Sequence, residues 1–195
     1  MDVRVVIVAY NAGAYLQRCV DALAAQDGVE WECVIVDNAS ADGSVAALEL
    51  DARFRVVEAG ANLGFAAACN LGAQGAQGRA RGKQGAQAPR WLAMLNPDAF
   101  ARPGWLATLV RGAEKAGAQM AGSTQVFADA PGTLDGLGDG YHFSGLAWRM
   151  GFGHALAETS VPARPYGVFG PCAAAAIYDR ELFERLGGFD ARFFC

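Results

Sequence analysis

A chain of 195 residues, 53% hydrophobic and 18% charged, is long enough to bury one substantial core and too apolar to remain disordered. Its formal net charge of -4, with no dense Lys/Arg stripe, argues against gripping nucleic acid or an anionic membrane by charge as its main task. Five cysteines, Cys19, Cys33, Cys69, Cys172 and Cys195, form no C-x-x-C pair and have no histidine spaced to complete a zinc site, the pattern of buried thiols in a reducing compartment.

The first strand is expected to begin at Val3, leaving no room for a signal peptide, and no apolar run has the length of a membrane span. A cytoplasmic protein is expected, with peripheral membrane contact left open. Val3 to Ala9 is β-branched and nearly continuous, which predicts a strand covered on both faces. Tyr10-Asn11 punctuates it, and Leu16, Cys19, Val20 and Leu23 recur at helical spacing, predicting a helix over residues 13–26. A second buried strand, Cys33 to Val36, runs into Asp37-Asn38, and Asp42 is placed to cap a helix carrying Val45 and Leu48.

The alternation continues with a strand from Phe54 to Glu58, the turn Gly60-Ala61-Asn62-Leu63-Gly64, a helix from Phe65 to Gly72 and a strand over 91–95. A helix opened by Pro103 at its first position follows, with Leu106, Leu109, Val110 and Ala113 on one face. Apolar strands are predicted near Met120 to Phe127 and, from small residues that let something approach closely, over Tyr166 to Ile177. Asp179 is expected to cap a short helix bearing Leu182, Phe183 and Leu186, ended by Gly187-Gly188. Strand–helix alternation of this kind predicts one α/β domain over 1–195, a Rossmann-like sandwich whose mostly parallel sheet has helices on both faces. Two segments interrupt it: Gly/Ala/Gln-rich residues 72–88, read as a connecting loop, and 129–165, read as a loop-rich insertion of the kind that shapes binding sites.

Three predicted strand ends carry polar residues: Tyr10-Asn11, Asp37-Asn38 and Asn96-Pro97-Asp98. Turn chemistry would explain any one of them. In a parallel sheet, however, the carboxyl ends face one edge, so all three converge on one crevice. There is no G-x-G-x-x-G after the first strand and no G-x-x-x-x-G-K-[ST], which disfavours dinucleotide cofactors and P-loop nucleotides. A diphosphate bound here would need a metal, and Asp98 suits Mg²⁺ or Mn²⁺, which take one or two carboxylates and complete their shells with phosphate and water. Pro97 fixes the backbone between Asn96 and Asp98.

The stretches "VIVAYNAGAYLQRCVDAL", "VIVDNASADGS", "NLGFAAACNLG", "LNPDA" and "LGGFDARFF", in that order, resemble the inverting GT-A glycosyltransferases of family 2, including rhamnosyltransferase-like members. The resemblance implies transfer of a sugar from a nucleoside-diphosphate donor of UDP or dTDP type to a saccharide or lipid-linked acceptor in polysaccharide biosynthesis, with a divalent cation. It implies that Ala9, Tyr10 and Asn11 line the nucleotide pocket, with Asn38 beside them, and that Asp37 receives the pyrimidine N–H. It puts Asn62, Gly64, Phe65 and Asn70 near base and ribose, Asn96 towards the ribose or donor sugar, and Asp98 on the metal.

One departure stands out. In the family the "GGFDxxFF" stretch leads into an acidic pair that supplies the base for the acceptor hydroxyl, and no such pair occurs before Cys195. A truncated product is expected, with no catalytic residue assigned among Asp179, Glu181 and Asp190, and with transfer reduced by the roughly 10²–10⁴-fold that acid–base catalysis contributes. A non-catalytic nucleotide-sugar-binding or assembly protein is the alternative. A sugar nucleotidyltransferase would want a Gly-rich, Arg/Lys-bearing loop where Tyr10-Asn11-Ala12-Gly13 stands. In the insertion, His142 and His154 read as loop or packing residues. Trp148 is the better candidate for a sugar platform, and Asp139 and Tyr141 suit either a turn or a sugar contact.

Overall fold

The computed structural model describes residues 1–75 and 88–194, so residues 76–87 of the low-complexity segment, and Cys195, lie outside the described residues. β1 (Val3–Ala9), β2 (Trp31–Asp37), β3 (Phe54–Glu58) and β4 (Trp91–Leu95) run parallel, with β1 between β2 and β4. Side chains alternate across the pleat. Val3, Val5, Ile7 and Ala9 therefore pack on one face with Leu16, Cys19, Val20 and Leu23 of α1 (Ala14–Ala24), while Val6 and Val8 pack on the other with Ala68, Cys69 and Ala73 of α2 (Gly64–Gln74). α3 (Trp105–Ala116) adds Leu106, Val110 and Ala113 to the α1 face. α2 continues to Gln74, two residues past its predicted end, and Gly72 lets it lie on β1, since a Cβ there would run into Val6.

The sheet extends past β4 in the order β3-β2-β1-β4-β10-β5, with β5 at Met120–Gly122 and β10 at Ala175–Asp179. β10 is antiparallel to both neighbours, with Ala175 opposite Leu95 and Ile177 opposite Ala121. Asp179 accepts from the Leu182 amide at 2.9 Å and caps α4 (Arg180–Arg185), and Gly187 and Gly188 follow with positive φ. Among the described residues no helix is long and apolar enough to cross a membrane.

Several local expectations are corrected. Asp42 caps no helix: residues 44–47 form turns after Gly43, which has φ 74°, although Val45 and Leu48 still pack half-buried on the core. The Asp42 carboxylate instead accepts from the Gly13 amide at 2.9 Å and from Ser44, whose hydroxyl is the main cause of its lowered pKa. Pro103 does not open α3, because Gly104 after it is left-handed; the buried Gln26 accepts from the Leu106 amide at 3.1 Å and donates to the Arg102 carbonyl at 3.0 Å, tying α1 to the start of α3.

The predicted strand from Met120 to Phe127 divides into β5 and β6 (Gln125–Val126), which belong to different sheets. Within the insertion, β6 pairs with β7 (Leu134–Gly136), and β8 (Asp139–Tyr141) pairs with β9 (Ala147–Arg149). These ladders are too short to show a period in sequence. The predicted strand over Tyr166 to Ile177 is loop through Cys172, with one bridge from Gly170 to Asp139, turns at Ala173 and Ala174, and only then enters β10; Gly167, Gly170 and Pro171 break it. The excursion between β5 and β10 closes at a neck: the Ser123 amide and hydroxyl both donate to the Ala175 carbonyl, at 3.1 and 2.8 Å, and the Trp105 indole donates to that hydroxyl at 2.8 Å.

Candidate functional site

β1 connects onward to β2 on one side and has β4 on the other, so the strand order reverses at the carboxyl ends of β1 and β4. Such a switch point leaves a crevice in an open α/β sheet. A cleft of about 480 Å³ occupies it, with Tyr10 and Asn11 on one lip and Asn96, Pro97 and Asp98 on the other. A second hollow, of about 530 Å³, lies between α1 and the turns after Asp42. Of its carboxylates, Asp21 accepts from Gln17 and Asp42 from Gly13 and Ser44, with Glu49 also lining it, and the hollow does not lie between strand ends.

Asn11 holds φ 49°, a left-handed conformation that its short polar side chain tolerates. Its Oδ1 accepts from the Ala41 amide at 2.8 Å and its own amide donates to the Ser40 hydroxyl at 3.2 Å, so the ends of β1 and β2 are laced together. Asp37 Oδ1 accepts from the Ser40 amide at 2.8 Å within the same lacing. The buried Asn38 donates to Asn62 Oδ1 at 2.8 Å and accepts from the Leu63 amide at 2.8 Å. Asn62 Oδ1 also accepts from the Gly64 amide, and the Phe65 amide donates to the Phe194 carbonyl at 2.7 Å. The amides of Leu63, Gly64 and Phe65 at the start of α2 are thus all taken by the chain itself.

Across the cleft, the Asn96 amide donates to the Ala174 carbonyl at 2.9 Å, and the Cys19 thiol donates to the Asn96 carbonyl at 3.4 Å. Burial first, and the negative charge of Asp98 second, push the Cys19 thiol up to about 12. Asp98 is exposed and is the one carboxylate among the lining residues, which include no Lys or Arg among the described residues. No group of three or more His, Cys, Asp or Glu side chains is assembled for a metal among the described residues. One carboxylate beside one amide does not fit a protein-closed zinc site. It does fit Mg²⁺ or Mn²⁺ held partly by a ligand's phosphates and by water.

Of the sequence-predicted site residues, the cleft brings together Tyr10, Asn11, Asn38, Asn62, Gly64, Phe65, Asn96 and Asp98. Three stand apart from its lining. Ala9 is fully buried in β1, and Asp37 sits at the end of β2. Asn70 turns to the last segment of the chain, donating to the Phe189 carbonyl at 2.7 Å and accepting from the Phe189 amide at 2.8 Å. The lining also takes in Val8, Ala12 and Pro97, which adjoin predicted residues, and Tyr15 and Phe194, which were missed. Tyr15 shows no signal beyond its position as the second residue of α1, whereas Phe194 belongs to a Phe-Phe pair too apolar for an idle surface. In the insertion, His142 Nδ1 lies 2.9 Å from the Ser144 hydroxyl.

The family described as Glycosyl transferase family 2 matches residues 4–187. Over 123 residues the chain is 37% identical to the succinoglycan biosynthesis protein ExoO of Rhizobium meliloti, covering 62% of this chain and 32% of that protein. Over 81 residues it is 37% identical to the putative teichuronic acid biosynthesis glycosyltransferase TuaG of Bacillus subtilis, covering 40% and 32%. The chain therefore spans about a third of the length of these curated relatives. Among solved structures, the mannosyltransferase PcManGT from Pyrobaculum calidifontis, in complex with GDP-Man and Mn²⁺, superposes with TM-score 0.66 at 20% identity over 97% of this chain and 47% of its own. S. aureus TarS 1-349 in complex with UDP does so with TM-score 0.62 at 16% identity over 100% and 52%. The mixed α/β fold with its mostly parallel sheet matches these glycosyltransferase structures.

Proposed function

The chain belongs to glycosyl transferase family 2, and on that premise we propose that its cleft binds a nucleoside-diphosphate sugar of UDP or dTDP type and that the sugar passes, with inversion, to a saccharide or lipid-linked acceptor. The observation that carries the reading is the convergence of Tyr10-Asn11 and Asn96-Asp98 on one cleft at the strand-order reversal. The GDP-Man with Mn²⁺ bound to PcManGT and the UDP bound to TarS support a nucleotide-sugar donor. The sequence resemblance favours rhamnose as the transferred sugar, and a lipid-linked acceptor would bring the protein into peripheral contact with a membrane.

The donor's diphosphate needs a counter-charge, and the cleft supplies none of its own: no cation lines it among the described residues, and the first amides of α2 are occupied. Asp98, with Asn96 beside it, would hold Mg²⁺ or Mn²⁺, which when bound offsets charge on the leaving diphosphate. Asp37, outside the cleft's lining at the end of β2 and with Oδ1 held by the Ser40 amide, is given the pyrimidine N–H on the sequence resemblance alone. Tyr10 and Asn11 form one lip of the site, and the Asn38–Asn62 pair fixes the β3–α2 turn as its wall. Asn70 is assigned to holding the chain's last segment rather than to the ligand.

Inversion requires a base on the acceptor side. We assign it neither to Asp179, which caps α4, nor to Asp190, whose carboxylate is paired with Arg192 and has a lowered pKa because of that hydrogen bond. Calorimetric titration of UDP and dTDP, with and without Mn²⁺, into the protein and its Asp98→Ala variant tests the donor site. Metal-dependent binding that the variant loses is expected. Binding indifferent to both metal and Asp98 would remove the proposed role of this carboxylate.

A further inference from the structure

The segment after α4 does not trail away from the molecule. Both polar groups of the Asn70 side chain clamp Phe189, and the Phe189 ring stacks on Phe65 (6.3 Å between centroids, 29° between planes) and meets Phe183 and Tyr178 edge-on at 5.2 and 5.4 Å. Five residues on, the Phe194 carbonyl takes the Phe65 amide at 2.7 Å, and its ring lies against Gly64. A Cβ on Gly64 would run into that carbonyl, so the absence of a side chain there serves the docking of residue 194. The docked ring lines the cleft while 58% of the residue stays exposed, leaving a flat apolar face on the Gly64 side of the cleft, beside Asn38, Asn62 and Phe65.

Sheet order says which part of a ligand that face meets. Asp98 follows β4, on one side of β1. Gly64 lies in the turn after β3, and that turn is bonded through Asn62 to Asn38 after β2, on the other side. With the diphosphate at Asp98, the β2–β3 side is left for the nucleoside. We infer that Phe194 is a nucleoside-binding residue: its ring is a preset platform for the base and ribose of the donor, held by Gly64, Phe65 and the Asn70–Phe189 clamp. This rests on the donor reading above. A ring already fixed loses little freedom when a ligand stacks on it.

The test compares UDP and inorganic pyrophosphate, each with Mn²⁺, as calorimetric probes of the unaltered protein and of Phe194→Ala, Phe194→Tyr, Gly64→Ala and Asp98→Ala. Base–aromatic contacts removed by alanine weaken binding by about tenfold. Phe194→Ala should weaken UDP by about that factor and leave pyrophosphate within twofold, Phe194→Tyr should restore UDP, and Asp98→Ala should weaken both probes. Gly64→Ala should weaken UDP as Phe194→Ala does, and the double variant should be no weaker than the worse single one, because both act by removing the same ring. UDP affinity unchanged in Phe194→Ala, while Asp98→Ala still weakens it, would overturn this inference and leave the donor site standing. Equal weakening of UDP and pyrophosphate by Phe194→Ala would also overturn it. Failure of UDP to bind the unaltered protein would overturn the inference together with the donor reading.

Discussion

Replacing Asn38 by alanine takes away a side chain that is 3% exposed and makes two bonds, to Asn62 Oδ1 and from the Leu63 amide, both 2.8 Å. The Leu63 N–H, part-buried in the turn, loses its acceptor, which costs about 1–2 kcal/mol. Asn62 Oδ1 keeps the Gly64 amide, so its loss is that of one ordinary hydrogen bond, about 1 kcal/mol. The sum is about 2–3 kcal/mol. With a urea dependence of about 2 kcal/mol per molar, the unfolding midpoint falls by about 1–1.5 M. Urea titration followed by far-ultraviolet circular dichroism measures this directly. The Asn38→Ala, Asn62→Ala double variant should lose clearly less than the sum of the two singles, because both lie in one network. A loss below about 0.5 kcal/mol for Asn38→Ala, or full additivity in the double variant, would refute the claim that this pair holds the wall of the cleft.

Two helix glycines should respond to alanine with opposite signs. Gly72→Ala drives a methyl into Val6 and should cost about 1–3 kcal/mol of overpacking. Gly112→Ala, in mid-α3 with nothing within 4 Å of the added Cβ, should gain about 0.5–1 kcal/mol; thermal unfolding of both, side by side, checks the contrast. Alkaline stability should fall as the buried thiols ionise in the unfolded chain. Cys19 and Cys69 start from 9.0 and are pushed up to about 12 by burial. Between those values the folded state holds protons that the unfolded state has released, so the stabilisation is full below pH 9 and drains as pH rises towards 12. Each thiol costs up to about 1.4 kcal/mol per pH unit. Urea midpoints at pH 8, 9 and 10 should show that slope, and it should lessen but not vanish when Cys19 and Cys69 are both replaced by alanine, because burial also pushes up the Cys33 thiol.

What the sequence carried in advance was the sheet's parallel half. Strands over Phe54–Glu58 and Trp91–Leu95 were legible to the residue, the second because its apolar run is uninterrupted and both because turn chemistry bounds them. The convergence of strand ends followed from parallelism alone. Spacing misled at Val45 and Leu48, which are buried as a helix would bury them, yet lie on turns because Gly43 takes a conformation that no helix starts from. The direction of β10 was hidden because an apolar pentapeptide reads the same either way. Long-range partnerships were hidden for another reason: an asparagine's type says that it will bond, but nothing near Asn70 announces a partner 119 residues away. The same holds for Phe194, whose apolarity was visible and whose berth on Gly64 was not.

The reversed strand β10 has one more consequence. Because it runs against its neighbours, it enters the sheet at the same edge from which β5 leaves, and Ser123 and Ala175 clasp there. Everything between them hangs from one edge like a handle from a rim, rooted by that clasp, by the bond between Ala174 and Asn96, and by Ala173 on the core and Pro171 against Gly122. Such a handle can be lengthened, shortened or exchanged for that of a relative without re-registering a single core strand. A chimaera joined at Ser123 and Ala174 is the natural graft, and it would exchange about a quarter of the chain while the rest stays fixed.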